Sequence, residues 1–231
     1  MLFRRRRRAL SVDAIAEQLQ RARGTSEFVI CVFIDIRDFT PFSKLVESPD
    51  VALFIKRVFS QVVNGYFSGA SFCKLMGDGL MLVVPYDAGN LRSVAPKVVD
   101  ACFRLLDDFP GFCVDDPMIN YAVPRDLGIG IARGTACRID SDGVVLDYCG
   151  RVLNLSARLM DIARPSGIVL SSDYVISLLP QDVAERFARD FVYLRGVAET
   201  EPVEVYYTKE LTTISPIHRE PIERISPPAF G

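Results

Sequence analysis

Two aspartates stand where a divalent cation could be held. Asp35 ends the segment FVICVFIDI (28–36), and Asp78 lies in the turn MGDG (76–79). A hard cation such as Mg²⁺ takes carboxylate oxygens and completes its shell with water and substrate phosphates. Two such ions close together can activate a hydroxyl and neutralise departing phosphates. Taken singly, Asp35 is also what a strand-end turn would carry, and Asp78 is also an ordinary hairpin residue. The metal reading rests on their joint occurrence in a topology that brings them to one point.

The stretch RDFTP (37–41) offers a phosphate site. Thr40 reads as an N-cap, with Pro41 at the first helical position. The backbone at Phe39 and Thr40 would then present free N–H groups and a positive dipole end beside Asp35. Many helices begin this way without a ligand. A third group lies in DYCGRVLNLSAR (147–158), where Asn154 and Arg158 stand four apart and share a helical face. That helix is otherwise mainly apolar, with Val152, Leu153, Leu155, Leu159, Met160 and Ile162. An arginine there suits the charge that develops on a transferring phosphoryl group. A solvated arginine beside a polar asparagine is the plainer alternative.

These residues need elements to position them. The run at 28–36 is nearly continuously apolar, which predicts a buried central strand. Apolar residues at helical spacing from Phe42 to Tyr66 predict one helix. SFCKL (71–75) and LMLVVP (80–85) flank the Gly-Asp-Gly turn as a β-hairpin. A second helix is expected over 88–109 and a third over 151–163, stopped at Arg164-Pro165. Strands are expected at 126–134, 143–150, 167–171, 191–197 and 202–208. The order is βαββαβ with additions. It predicts an α+β, ferredoxin-like core with an antiparallel sheet and added C-terminal strands. In such a sheet the first strand and the hairpin are neighbours, so both aspartates reach one place.

Composition narrows the function classes. The chain has 231 residues, with 49% hydrophobic and 24% charged residues, which suits one larger α/β domain. A net charge of −2 gives no nucleic-acid footprint. No apolar run approaches the roughly 20 residues of a membrane span. The run Arg4–Arg8 is followed by polar sequence, so it reads as a solvated basic tail, with contact to a membrane surface as the sharper alternative. The six cysteines form no C-x-x-C pair and most sit in apolar segments, which predicts buried reduced thiols and a cytoplasmic location. His218 is the one histidine, so histidine-based zinc or triad chemistry is not expected.

FIDIRDFT, KLMGDG, DYCGRVLNLSAR and LRGV, in this order over roughly 27–208, resemble the class III nucleotide cyclase catalytic domain. The resemblance implies a head-to-tail homodimer acting on a nucleoside triphosphate with two Mg²⁺ or Mn²⁺ ions. By it, Asp35, Asp78 and the Ile36 carbonyl hold the metals. Lys74 and Asp147 contact the base, Asn154 orients the ribose, Arg158 stabilises the transition state and Arg195 meets the triphosphate. The metals would come from one subunit and Lys74, Asp147, Asn154 and Arg158 from the other. The family usually has glycine where this chain has Asp38, which puts the loop geometry in question. The domain division is then a basic tail and short helix over 1–26, a catalytic domain over 27–208, and a Pro-containing tail over 209–231.

Lys74 and Asp147 offer one donor and one acceptor. That pair suits adenine, but uracil and cytosine present comparable edges, so it excludes guanine better than it selects adenine. Tyr148 is bulky beside Asp147. It would suit a smaller pyrimidine if it fills the pocket, or it packs at a dimer surface. Small size, ARPSGIVLS (163–171) and the tail VYYTKELTTISPIHREPIE (205–223) resemble the standalone bacterial pyrimidine cyclases of Pycsar antiphage systems. That resemblance implies UTP or CTP as substrate and a separate effector that reads the cyclic product. An adenylate cyclase and an inactive cyclase-like binding module are the alternatives.

Overall fold

A computed structural model describes residues 12–174 and 176–222. After a short helix α1 (Val12–Arg21), strand β1 (Arg23–Ile36) begins earlier than the apolar run and forms the centre of one eight-stranded sheet. It pairs antiparallel with β3 (Gly79–Pro85) on one edge and with β4 (Leu127–Ser141) on the other. With β2 (Phe72–Met76) beyond β3, the order β2-β3-β1-β4 is the expected split βαβ frame.

The sheet departs from the antiparallel expectation. It is mixed, because β6 (Gly167–Ser171) runs parallel to β4. Helix α5 (Arg151–Ile162) lies between β4 and β6 in sequence, and a strand returning through a helical crossover arrives parallel. The hairpin strand β5 (Val144–Cys149) and β6 pair with different stretches of β4. The sheet ends in β8 (Ala198–Thr208) and β7 (Phe187–Leu194).

Alternation along β1 sets the two faces. Ile30, Val32, Ile34 and Ile36 enter the core under α3 (Ser48–Gly65) and α4 (Leu91–Asp108). Val29, Cys31 and Phe33 enter a second core with Leu155, Leu159 and Ile162 of α5. Asp35 continues this second row, so its carboxylate falls on the side that α5 covers. Each fully buried aliphatic of α5 contributes roughly 1.5–3 kcal/mol to holding the helix there.

Strand β4 repeats the alternation with a difference. Leu127, Ile129 and Ile131 face the first core, while Gly128, Gly130, Ala132, Gly134 and Ala136 form its other side. The small side lets α5 lie almost on the strand. A Cβ at Gly130 would stand 2.1 Å from the Ser156 carbonyl oxygen and 2.2 Å from the Met160 nitrogen. The Ser156 hydroxyl, fully buried, lies 2.9 Å from the Cys31 carbonyl and 2.8 Å from the Gly130 carbonyl, either of which it can bond.

The first long helix is two. Helix α2 (Phe39–Leu45) stops and α3 restarts, with Val46 extended at φ −121° and ψ 142°. Pro49 causes the break, since a helix running through it would put the ring against the Leu45 carbonyl. Nor is Thr40 the N-cap. Asp38 holds that place with φ 57°, so the helix begins at Phe39 and Pro41 falls further inside the first turn.

The thiols are less buried than expected. Cys31 and Cys102 are buried, but Cys73 and Cys149 are exposed, and all six are free. The tail after 209 is partly docked, with Thr212 and Ile214 each 4% exposed. The Arg4–Arg8 run lies outside the described residues. No described helix is long and apolar enough to cross a membrane.

The close seat of α5 predicts the cost of a methyl group. Gly130→Ala should destabilise the fold by about 1–3 kcal/mol, because the new Cβ meets helix backbone that cannot rotate away. Gly65→Ala, with no atom within 4 Å of its added Cβ, should stay within about 1 kcal/mol of the parent. Urea unfolding of the two variants beside the parent checks both.

Candidate active site

The two aspartates meet as the topology requires. Asp35 pairs across the ladder with Gly79, the residue after Asp78. The Ile36 amide donates to the Asp78 carbonyl at 3.3 Å, which ties the strand end to the hairpin turn. That turn is tight, with Gly77 at φ 71° as the first of two loop residues, the sign of a type II′ turn. Burial pushes the Asp35 carboxyl up from its ordinary value, Arg37 opposes the shift, and Asp78 adds to it.

Arg37 was not anticipated from the sequence. Its side chain is only 3% exposed, and its Nη1 donates to Asp35 Oδ2 at 2.7 Å. Its Nη2 donates to the Met160 carbonyl at 2.5 Å and to the Ala163 carbonyl at 2.7 Å, both at the end of α5. Burial lowers the guanidinium pKa and the Asp35 charge restores part of it. Nε is buried without a hydrogen-bond partner. The side chain crosses Gly128, the residue paired with Asp35 on β4, where a Cβ would come within 1.5 Å of Nη2. The signal available in the sequence was a second charge two positions beyond Asp35, hence on the same face at the strand end.

The Asp38 question resolves in the turn itself. A left-handed φ of 57° explains why glycine is usual at such a place, and aspartate is among the few residues that tolerate it. The Asp38 carbonyl accepts from the Phe42 amide at 3.2 Å.

Helix α5 brings Asn154 and Arg158 to the aspartate. Both side chains are exposed, and they line a cavity of about 380 Å³ with Asp35, Met76, Asp161 and Arg195. Arg195 reaches the wall from the β7–β8 turn, where Gly196 takes φ 75°. Asp161, not anticipated from sequence, holds Arg158 at 2.9 Å. Four predicted residues, Asp35, Asn154, Arg158 and Arg195, therefore share one cavity within a single chain.

Lys74 and Asp147 form a separate group. They meet each other, with Nζ 2.5 Å from Oδ2. Three strands separate β2 from β5 in the pairing order, so the sheet must curl strongly for that contact. Behind it, Tyr148 is 4% exposed and packs on Phe72 with ring centroids 5.4 Å apart. The Tyr148 hydroxyl donates to Glu27 at 2.8 Å, and Arg138 donates to the same carboxylate at 2.9 Å. Tyr148 thus belongs to the core behind the pair. Phe39 and Thr40 open α2 beyond Asp38 and do not line the cavity.

A metal fits the donor set in one way. Among the described residues no cluster of three or more His, Cys, Asp or Glu could cage an ion. Two adjacent carboxylates suit a Mg²⁺-like cation, which keeps water and takes phosphate oxygens for the rest of its shell.

Solved structures share this architecture. The adenylyl cyclase CyaB from P. aeruginosa aligns with a TM-score of 0.64 at 18% identity, over 85% of this chain and 98% of that one. The guanylyl cyclase Cya2 aligns at 0.58 and 20% identity, over 87% and 99%. The guanylate cyclase domain of RhGC from Catenaria anguillulae, in complex with GTP, aligns at 0.58 and 16% identity, over 82% and 98%. No family model and no curated protein matches the sequence. At these identities the likeness is one of fold: this α+β chain, with its single eight-stranded sheet, is built like the catalytic units of adenylyl and guanylyl cyclases.

Proposed function

We propose that the protein is a metal-dependent nucleotide cyclase, converting a nucleoside triphosphate to its 3′,5′-cyclic monophosphate and pyrophosphate. The observation that carries this reading is the placing of Asp35 and Asp78 side by side, strand end against hairpin turn, on a fold shared with solved cyclases. In the reaction the ribose 3′-oxygen attacks the α-phosphorus, the bond to pyrophosphate breaks, and the hydroxyl proton goes to solvent. Two bound Mg²⁺ or Mn²⁺ ions would acidify the hydroxyl and neutralise the triphosphate.

The chain's own groups do the rest. Asp35 and Asp78 hold the cations, with the Ile36 carbonyl assisting. Asn154 fixes the ribose, and Arg158 leaves Asp161 to meet charge growing on the phosphoryl oxygens. Arg195 binds the triphosphate, with the backbone at Phe39 and Thr40 as a further contact. Positioning and charge neutralisation account for most of the rate.

Lys74 and Asp147 read the base, and the reading extends to a pyrimidine, UTP or CTP. The wall behind the pair supports it. Tyr148 is clamped between Phe72 and Glu27, so it does not swing aside to deepen the pocket for a purine. On this reading the protein works in the cytoplasm, and a separate cyclic-nucleotide effector reads the product in antiphage defence. The catalytic unit spans 27–208.

Incubation with Mn²⁺ and each of UTP, CTP, ATP and GTP, followed by chromatography, tests the proposal. Cyclic UMP or cyclic CMP is the expected product. Cyclic AMP alone would move the assignment to an adenylate cyclase, and absence of any cyclic product would sink the enzyme reading. Asp78→Ala should fold normally, since a partly exposed turn side chain costs no more than about 0.5 kcal/mol, yet make no product.

The proposed working unit is a head-to-tail homodimer, with metals held by one subunit and Lys74, Asp147, Asn154 and Arg158 given by the other. Asp78→Ala and Arg158→Ala would each be inactive alone. After mixing and subunit exchange, half of the dimers would be hybrids with one intact site of two, which restores about a quarter of the parent rate. No recovery, with exchange verified by mass spectrometry, would place each site within one chain.

A further inference from the structure

We infer that Arg37 is a positioning residue that locks the metal-binding carboxylate to α5, the helix that, in the proposed dimer, hands Asn154 and Arg158 to the other site. The inference rests on the cyclase reading for its kinetic arm, and on contacts within the chain for the rest.

A helix ends with carbonyls that have no partner inside the helix. At the end of α5 the Ala163 carbonyl, and the Met160 carbonyl in addition to the bond it takes from the Ala163 amide, accept from one nitrogen of Arg37. A cation is favoured there by the helix dipole as well. The other terminal nitrogen holds Asp35 Oδ2. A guanidinium is planar and rigid, so these bonds fix the distance and angle between the end of β1 and the end of α5. They also engage one oxygen of Asp35 and leave Oδ1 as the free ligand for a cation.

The slot is built for this side chain. Gly128 lies across the ladder from Asp35, and the absence of its Cβ provides the space that the guanidinium fills. Lysine carries the same charge but offers a single point of contact. It can keep the ion pair with Asp35 or cap α5, but it does not hold both in a set geometry.

Two behaviours separate positioning from a charge effect. Loss of a cation beside Asp35 would by itself tighten Mn²⁺ binding. Loss of alignment instead lowers kcat with little change in the nucleotide KM, because ground-state contacts survive while the in-line geometry does not. For Arg37→Lys and Arg37→Met, kcat at saturating Mn²⁺ is expected to fall about 10- to 100-fold, with KM within about twofold.

The second readout needs no turnover. Hydrogen exchange of the Ala163 and Arg164 amides reports on the end of α5, where they donate to the Met160 and Ile162 carbonyls. Mn²⁺ alone is expected to slow their exchange several-fold in the parent and to leave it unchanged in Arg37→Lys. Thermal melting accompanies both measurements. Should Arg37→Met fail to fold, Arg37→Lys carries the test. Arg37→Lys that melts like the parent, keeps parent kcat and keeps the Mn²⁺-dependent protection would overturn the inference. A parent that makes no cyclic nucleotide would end the cyclase reading, yet the exchange experiment would still decide on the lock.

Discussion

Two charges sit beneath α5, and neither is tolerable without the other. Asp35 is half buried and Arg37 fully so; burial pushes the Asp35 carboxyl up and the Arg37 guanidinium down, and each charge, 2.7 Å from the other, opposes its partner's shift. A buried pair of this kind gives little net stability, because desolvation offsets the attraction. Its value is directional. Removing either partner would leave a buried charge uncompensated, so the pair dictates where β1 ends relative to α5. The hairpin carrying Asp78 and the cavity wall with Asn154 and Arg158 follow from that relation.

The backbone of β4 makes the relation possible. An ordinary strand with side chains on both faces would hold a helix about 10 Å away. On this strand glycine and alanine occupy the side facing α5, and the helix backbone descends to where Cβ atoms would be. The Arg37 guanidinium then spans a gap short enough for direct bonds to helix carbonyls. The placing of α5 against β1 thus depends on small residues that lie outside the cavity. The same strand presents Leu127, Ile129 and Ile131 to the opposite core, so it anchors one layer while admitting the other.

Much of this was legible in the sequence, for a physical reason. Strands buried on both faces announce themselves as apolar runs, and β1, β3 and β6 lay where those runs stood. The hairpin was readable because only a few residues accept the backbone of Gly77. What escaped was information carried by absence or by distance. Gly128 and Gly130 stood inside an expected strand, and nothing local in it announces the helix that is laid over them. Arg37 looked like a turn residue because its partners Met160 and Ala163 lie more than a hundred positions away. The break before Pro49 was locally encoded, but a continuous apolar stripe outweighed it. The parallel pairing of β6 follows from a crossover that propensity does not report.

If Lys74 and Asp147 read a base, as proposed, their contact has a consequence for selectivity. The groups that would grip a base already grip each other. A ligand must therefore separate them, and separation strands both. A base that accepts from Lys74 but offers nothing to Asp147 gains one bond and leaves a carboxylate without its counter-charge. Only a base edge with both functions in the right spacing repays the opening. Recognition then behaves as a conjunction of two conditions, and a mismatch at either one carries the penalty of both. Discrimination is steeper than two independent contacts would give, and a vacant pocket keeps itself closed to partial fits.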